Sequence, residues 1–219
     1  MREKVTTRQY GLWDSPITPI SLARGITFSD VAWDEEGRLV WREVRSGRGV
    51  LVVQRTDGQA PRDLNSDLSV RAGVGYGGGD FAVGHGQVYF GAARPITPAF
   101  GHFASPAISP DGKWLLFVHT YEGKDSLGIV DSEGRRWPQK LVSGNDFYMQ
   151  PTWQPGQAQE GQLAWIAWDH PNMPWDGTVL HLAKFDLRNG DFPRIVEEHS
   201  IAGDARTSIF QPEFSPDGR

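Results

Sequence analysis

The sequence contains no cysteine among its 219 residues. That absence excludes disulfide bonds, zinc sites built on thiolates and a cysteine nucleophile. The sequence also has no apolar run approaching the ~20 residues of a membrane-spanning helix. Its first residues, MREKVTTRQYGLWD, contain no apolar stretch of the kind that a secretory signal requires. We therefore expect a soluble, cytoplasmic protein that makes no membrane contact.

The sequence also has fewer basic than acidic residues. Lys and Arg together number 22 against 27 Asp and Glu, which gives a formal net charge of −5. The densest basic stretch, GRRW, is too short to form a nucleic-acid-binding patch. A nucleic-acid partner is therefore disfavoured.

What the sequence does have is glycine, proline and tryptophan, with 26, 15 and 9 residues respectively. Such a composition favours many turns and short strands over helices. A hydrophobic fraction of 38%, with 11% aromatic residues, is enough to form a core. The composition therefore predicts an ordered, all-β fold.

A repeat organises the chain. Four segments share an apolar residue that leads into a Gly-containing turn and a second apolar strand: DVAWDEEGRLVWREV, SPAISPDGKWLLFVH, QPTWQPGQAQEGQLAWIAW and QPEFSPDGR. Their spacing is near or above the ~40–50 residues of one β-propeller blade. The longest gap leaves room for one more, degenerate unit, DFAVGHGQVYF, which is about a hairpin short.

We therefore expect residues 1–219 to form the N-terminal part of a β-propeller, a partial arc of about three to four blades. The predicted blades lie near 24–65, 66–100 (shortened), 103–145 and 146–200, with the start of the next at 208–219.

The SPDG motif has a mechanical explanation. Pro110 presets the backbone for a type I turn, and Gly112 can take a positive φ before the next strand begins. Asp111, and Asp217 in the second copy of the motif, are consequently interpreted as turn residues and not as ligands.

A literal G-x-G-x-x-G occurs at Gly73, Gly75 and Gly78. A phosphate cradle would need a buried strand before it and a helix after it. The following GGGDFAVGHGQVYFG instead indicates a hairpin of β-rich pieces. We interpret these glycines as part of a loop between blades.

The strands of a blade run antiparallel, so alternate turns open on opposite faces of a propeller. The SPDG turns are predicted to lie on one face. The loops GVGYGGGD, SGNDFYMQ, HTYEGKD and WDHPNMPWDG are predicted to gather on the other. The second face is richer in aromatic, His and Asn residues, and we expect any substrate or partner to contact it.

These segments also carry a family resemblance. YGLWDSPITPISLA, YGGGDFAVGHGQVYF, SPAISPDGKWLLFV, NDFYMQPTW and LAWIAWDHPNMPWDGT together resemble the N-terminal propeller of prolyl-oligopeptidase-family serine peptidases, in the dipeptidyl aminopeptidase/acylaminoacyl peptidase branch. The resemblance spans nearly all of residues 10–219. SPDG alone is shared with TolB-like propellers; the combination of Tyr-Gly-Gly-Gly with WDHPNMPWDG is more specific.

The resemblance implies a two-domain enzyme whose propeller covers a C-terminal α/β-hydrolase domain with a Ser-Asp-His triad. Such propellers restrict the active site to short peptides. No G-x-S-x-G nucleophile motif occurs in the 219 residues, so we expect the catalytic domain to be absent and assign no catalytic residue here. We expect no cofactor and no metal, since no two of the six histidines have the i, i+4 spacing of a helical zinc site.

Within this framework, the candidate residues for a substrate gate or domain interface lie on three loops. They are Tyr76, Gly77, Gly78, Asp146, Phe147, Tyr148, Asp169, His170, Asn172, Trp175 and Asp176. The competing interpretation is a rigid loop whose Asp and Asn side chains cap backbone amides. Phe147 and Tyr148 are also candidate contacts for a hydrophobic substrate side chain.

Two other functions stay open. One is a stand-alone TolB-like propeller that acts as a protein-binding scaffold. The incomplete last repeat argues against this function, because an open arc leaves apolar blade faces exposed. The other is a propeller enzyme with its own acidic site, which needs two carboxylates about 5–10 Å apart in the central channel. Because such apolar faces are exposed, we also expect self-association through the open blade edges.

Overall fold

The computed structural model describes residues 7, 9, 20, 25–74, 76, 79–91, 100–156, 160–187 and 192–218. Fourteen strands form within these ranges, in four antiparallel sheets. The all-β, partial-propeller fold class is confirmed, and the arc is not closed.

Each sheet corresponds to one blade. Blade 1 contains β1 (Thr27–Trp33), β2 (Leu39–Arg45), β3 (Arg48–Gln54) and β4 (Arg62–Asp63). Blade 2 contains only β5 (Phe81–Gly84) and β6 (Gln87–Phe90). Blade 3 contains β7 (His102–Ile108), β8 (Trp114–Tyr121), β9 (Lys124–Asp131) and β10 (Gln139–Val142), and blade 4 contains β11 (Phe147–Trp153), β12 (Glu160–Trp168), β13 (Val179–Asp186) and β14 (Arg194–Gly203). In every blade the strands pair in chain order.

Three hairpins are closed by a two-residue turn of a non-glycine residue followed by glycine. These pairs are Ser46-Gly47, His85-Gly86 and Glu122-Gly123, and both residues of each pair have a positive φ. Two consecutive positive φ values define a type I′ turn, whose twist matches that of antiparallel strands. Glycine at the second position meets this requirement without steric cost.

The Ser-Pro-Asp-Gly turn between β7 and β8 is held by its own side chains. The Ser109 hydroxyl donates to Asp111 Oδ1 at 2.7 Å and accepts from the Trp114 amide at 2.9 Å. Gly112 has a φ of 72° and donates its N–H to the Ser109 carbonyl at 2.9 Å. Asp111 therefore acts as a turn residue, and Ser215 and Asp217 form the corresponding side-chain hydrogen bond in the second copy of the motif.

The first strands of the blades, β1, β5, β7 and β11, lie next to one another in chain order. We call this central region of the arc the hub. β1, β7 and β11 each contain a bulge at a non-glycine residue with positive φ: Asp30, Ser105 and Gln150. Gln211, in the segment that follows blade 4, shares this conformation. Each of the four residues lies three positions before the apolar residue that the repeated segments share, which is Trp33, Ile108, Trp153 or Phe214.

Hydrogen bonds at the hub tie neighbouring blades together. Asp30 Oδ2 accepts the Asp80 amide at 2.7 Å, and the Ser105 amide donates to the Gly79 carbonyl at 3.0 Å. Gln150 Oε1 accepts the Gln211 amide at 2.7 Å. The residues that carry the bulges therefore set the contact from one blade to the next.

The largest apolar cluster lies between blades 3 and 4. Fully buried side chains from both sheets meet there, including Leu116, Leu127, Tyr148, Leu163 and Trp165. Burying one such side chain contributes roughly 1.5–3 kcal/mol. Smaller clusters join blade 1 to blade 2 and blade 2 to blade 3, so the blades stack face to face along the arc.

The outer face of blade 1 has no neighbour among the described residues. Phe28, Val31 and Trp33 of β1 are each 67% exposed. At the other end of the arc, Ile209 packs against the apolar cluster of Met149, and residues 208–218 lie beside β11. Blade 1 therefore presents three exposed apolar side chains side by side on one strand.

We predict that the 219-residue chain self-associates through this face, because three large apolar side chains lie together on one strand. Val31→Asp should shift the chain toward the monomer, since dimer formation would bury the new charge. Sedimentation velocity over a range of concentrations measures this shift. Val196→Asp, which alters a similarly exposed side chain on β14, is the matched control. A wild-type chain that stays monomeric at all concentrations would contradict the prediction.

Candidate functional site

The face of the arc opposite the Ser-Pro-Asp-Gly turns carries a cluster of aromatic residues from three loops. Tyr76 comes from the connection between blades 1 and 2, Phe147 begins β11, and Trp168 ends β12. His170 and Trp175 come from the loop between β12 and β13. We call these five residues the loop-face cluster.

Tyr76 is the centre of the cluster. Its ring makes edge contacts with Phe147, Trp168 and Trp175 at centroid distances of 5.7, 6.0 and 6.4 Å. Phe147 stacks on Trp168 at 5.1 Å and contacts the His170 ring at 4.7 Å. Aromatic pairs in such geometries contribute about 0.5–1.5 kcal/mol each beyond the burial of area. Residues almost 100 positions apart are thereby held in one surface.

The cluster combines a buried base with an exposed rim. Trp168 is only 4% exposed, whereas Tyr76 is 37% and Trp175 64% exposed. The Trp168 indole N–H is buried and has no acceptor among the described residues. The exposed rings of Tyr76 and Trp175 are therefore the part of the cluster that an incoming molecule would meet first.

A polar network borders the aromatic rings. Asp169 accepts the Asp146 amide at 2.7 Å and the Asn145 side-chain amide at 2.9 Å. Asp146 in turn accepts the His170 amide at 3.1 Å and its ring Nδ1–H at 2.9 Å. The start of β11 and the end of β12 are thus joined by reciprocal Asp contacts.

The hydrogen bonds from the His170 ring and backbone hold the pKa of Asp146 below its usual range. A carboxyl group whose pKa is lowered by folding stabilises the folded state fully above its unfolded-state pKa, about 3.9 for Asp. That contribution is lost as the pH falls through the lowered value.

We predict that His170→Ala raises the pKa of Asp146 toward its ordinary value, because the ring donor is removed. NMR titration of the side-chain carboxyl carbon measures the pKa directly. His199→Ala, which removes an exposed histidine bonded to Glu197 and not to Asp146, is the control. An unchanged Asp146 titration in His170→Ala would show that the ring contact does not form.

Beneath this network lies a buried pair. The Tyr148 hydroxyl accepts the Asn145 amide at 3.0 Å, and the Tyr148 amide donates to Asp125 at 3.4 Å. Asp125 also accepts from the Thr120 hydroxyl at 2.5 Å. Burial raises the pKa of the Asp125 carboxyl and of the Tyr148 phenol. Tyr148 is 1% exposed and therefore supports the site from below.

The loop between β12 and β13 is fixed by capping interactions. Asp176 accepts the Met173 amide at 2.9 Å, and the Asn172 side chain donates to the Ala205 carbonyl at 3.0 Å. The His170-Pro171 peptide bond is cis. The Asp and Asn side chains of this loop thus cap backbone groups, while Trp175 projects to solvent.

The structure therefore brings together most of the candidate residues. Tyr76, Phe147, His170 and Trp175 share the cluster, Asp146 and Asp169 border it, Tyr148 lies beneath, and Asn172 and Asp176 fix the loop. Gly77 and Gly78 lie outside the described residues, as does Gly75. Gly73 donates its N–H to the Phe103 carbonyl at 3.0 Å, in an irregular segment next to blade 3.

Sequence reasoning did not select Trp168, Met173 or Asp125. Trp168 ends a continuously apolar strand and is indistinguishable there from a core residue. Met173 Sδ lies 3.9 Å from the Tyr76 hydroxyl, a contact across 97 positions. Asp125 could have been found from its position, because it ends the segment HTYEGKD, a loop that the sequence already placed on this face.

The carboxylates at the hub have structural roles. Asp80 accepts the Ala72 amide at 2.6 Å and pairs with Arg42 at 3.3 Å, while Asp30 accepts the Asp80 amide. In the described part of the chain, no group of three or more His, Asp or Glu side chains is placed to hold a metal ion. The described residues also contain no helix that is long and apolar enough to cross a membrane.

No protein-family model matches the sequence, and no curated protein matches it either. Solved structures do match. Puromycin hydrolase is 28% identical with a TM-score of 0.76, over 98% of this chain and 38% of that chain. A puromycin-hydrolyzing peptidase of Mycobacterium tuberculosis is 25% identical with a TM-score of 0.69, over 92% of this chain and 36% of that chain.

A putative TolB from Agrobacterium tumefaciens is 18% identical with a TM-score of 0.55, over 86% of this chain and 70% of that chain. At this identity the likeness concerns the fold alone. The two peptidases are similar over nearly the whole of this chain, which spans less than two fifths of their length. The resemblance to the propeller portion of prolyl-oligopeptidase-family peptidases is confirmed.

Proposed function

We propose that this chain, similar throughout to the propeller portion of a prolyl-oligopeptidase-family peptidase, is a non-catalytic gate. Its partner would be an α/β-hydrolase domain that follows it in a longer polypeptide and carries the catalytic triad. The loop-face cluster would contact short peptide substrates as they pass to the active site, or it would contact that domain itself. Because two similar peptidases are named for hydrolysing puromycin, we include puromycin among the proposed substrates.

The observation that carries this proposal is the loop-face cluster itself. It places two exposed aromatic rings, Tyr76 and Trp175, beside the partly buried Phe147 and the buried Trp168. Exposed aromatic residues on a rigid support are typical of binding surfaces, since little conformational entropy is lost when they bind. The likeness to TolB concerns only the fold, so it does not favour the alternative of a stand-alone scaffold.

The first test uses the 219-residue chain itself. Purified chain should hydrolyse neither puromycin nor short aminoacyl amides, because the G-x-S-x-G motif of the nucleophile is absent from its sequence. A turnover that persists through successive purification steps, and that scales with the amount of chain, would overturn the non-catalytic role.

The second test uses the complete product of the reading frame that encodes the chain. In this protein, Trp175→Ala should raise kcat/KM for longer peptides about tenfold, equivalent to about 1.4 kcal/mol, because the gate is widened. The rate with puromycin should change little. Trp137→Ala removes an equally exposed tryptophan from the connection between β9 and β10 and is the matched control. Equal effects of the two substitutions on long and short substrates would refute gating by the cluster.

A further inference from the structure

Among the described residues, blade 2 has fewer strands than the other blades. Blades 1, 3 and 4 each have four strands, whereas β5 and β6 are the whole of blade 2 among the described residues. Two cavities adjoin β6 where further strands would lie, with volumes of about 230 Å³ toward blade 3 and about 80 Å³ toward blade 1. We call this region the slot; it is lined by Val88 and Phe90 of β6, Val53 and Leu64 of blade 1, and Leu115 and Phe117 of blade 3.

Among the described residues, no strand pairs with the edge of β6 that faces the slot. The type I′ turn at His85-Gly86 makes Gly84 and Gln87 the flanking pair of the hairpin. In such a hairpin the flanking residues exchange both hydrogen bonds, and the pattern alternates along the strand. Gln87 and Tyr89 therefore bond toward β5, whereas the N–H and C=O groups of Val88 and Phe90 point away from it. A further strand could pair with these groups.

Apolar side chains line the slot on both sides, and charged side chains such as Asp34 and Arg38 also line it toward blade 1. On blade 3, Leu115 and Phe117 belong to a buried cluster with Tyr89, and Phe103 packs against it. On blade 1, Val53 belongs to the cluster with Phe81, which Val88 also contacts. A strand in the slot would therefore have both faces covered and would need apolar or small side chains on each.

The third strands of the complete blades show which sequence fits such a position. β3 reads RGVLVVQ and is buried from Gly49 to Val53, and β9 reads KDSLGIVD and is buried from Asp125 to Val130. Both have five or six consecutive buried residues with a polar end.

The charged residues at the slot favour an acidic ligand. Arg62 lines the smaller cavity and Arg71 the larger. Within the described part of the chain neither arginine has a carboxylate within 4.0 Å, whereas nearby Arg38, Arg42 and Arg55 are all in ion pairs. Acidic residues flanking an apolar strand would complement Arg62 and Arg71.

We propose that the slot binds an extended peptide with an apolar centre and acidic flanks, which adds to β6 as the third strand of blade 2. This site lies beside β6 between blades 1 and 3, none of the loop-face cluster residues lines it, and it does not depend on the proposed gating function. Backbone pairing with β6 supplies part of the affinity, and the apolar walls select the side chains.

The test uses a fluorescent synthetic peptide of sequence KDSLGIVD and the full chain. We expect saturable binding by fluorescence anisotropy, together with slowed amide hydrogen exchange at Val88 and Phe90. N-methylation of alternate peptide residues, placed on the edge that faces β6, should weaken binding at least about tenfold while the protein stays unchanged. N-methylation of the other set, which faces away, is the matched control.

Two protein variants complete the design. Arg71→Gln should weaken binding of KDSLGIVD but not of the peptide in which both Asp residues are Asn. Val88→Pro removes one outward N–H group and should weaken binding, whereas Val88→Ala retains that group. Circular dichroism verifies that each variant is folded. If Val88→Pro fails to fold, the N-methylated peptides test the same hydrogen bonds on the wild-type protein.

Three results would overturn the proposal. The first is no binding at peptide concentrations of roughly 1 mM. The second is strong protection of the Val88 and Phe90 amides in the free, monomeric chain, which would show that the edge is already paired. The third is equal affinity for both N-methylated sets, which would show that the peptide binds without strand pairing.

Discussion

Replacing Trp165 by alanine is expected to lower the free energy of unfolding by about 3–5 kcal/mol, the usual cost of truncating a buried large aromatic residue. Trp165 is fully buried at the centre of the cluster between blades 3 and 4. Its ring stacks on His181 with a centroid distance of 5.4 Å and an interplanar angle of 5°. Truncation would therefore leave a large cavity and expose the face of the imidazole.

Urea denaturation followed by circular dichroism measures this change. Trp137→Ala is the matched control, because the same side chain is 66% exposed there and its loss should change stability by no more than about 0.5 kcal/mol. Trp165→Phe should cost less than Trp165→Ala, since it keeps an aromatic ring and removes an indole N–H that has no acceptor among the described residues. Similar midpoints for the two alanine variants would refute this view of the core.

Gly203→Ala is expected to destabilise the chain by roughly 2–5 kcal/mol, from backbone strain and overpacking together. Gly203 ends β14 with a φ of +84°. A Cβ atom there would lie 2.1 Å from the Thr178 carbonyl oxygen and 2.9 Å from Ile209 Cδ1. Thr178 is fully buried, so its backbone cannot move aside without displacing the loop that carries Trp175.

The control is Gly123→Ala, which has nearly the same φ of +75° but no atom within 4 Å of the added methyl group. This variant reports strain alone, about 1–2 kcal/mol. Urea denaturation gives both values. A Gly203→Ala variant no less stable than Gly123→Ala would show that the close approach to Thr178 is easily relieved.

The fold class could be predicted because its determinants are local. Two-residue turns ending in Gly47, Gly86 and Gly123 specify hairpins, and the Ser-Pro-Asp-Gly motif specifies the remaining tight turn of blade 3. Alternation of strand direction then decides on which face each loop opens. The aromatic loops could therefore be placed on one face without any knowledge of which side chains touch.

The contacts within the site could not be predicted to the same extent. Tyr76 meets Trp168 and Met173 across more than 90 positions, and that approach depends on how blades 2 and 4 are positioned around blade 3. Similarly, the contact of His170 with Asp146 depends on the register of β11 against β12 and on the path of the following loop. A sequence period gives the number of blades but not these distances.

The position of the inter-blade ties has a consequence for how such a chain tolerates change. Asp30, Ser105 and Gln150 lie on the first strands of their blades and Gly79 lies just before β5, and each takes part in one of these ties. Blade 2 has this inner connection although only two of its strands lie among the described residues, and the curvature of the arc therefore continues through it. Insertions and deletions should consequently be accepted at the circumference, whereas a one-residue length change beside these four positions would misalign every later blade.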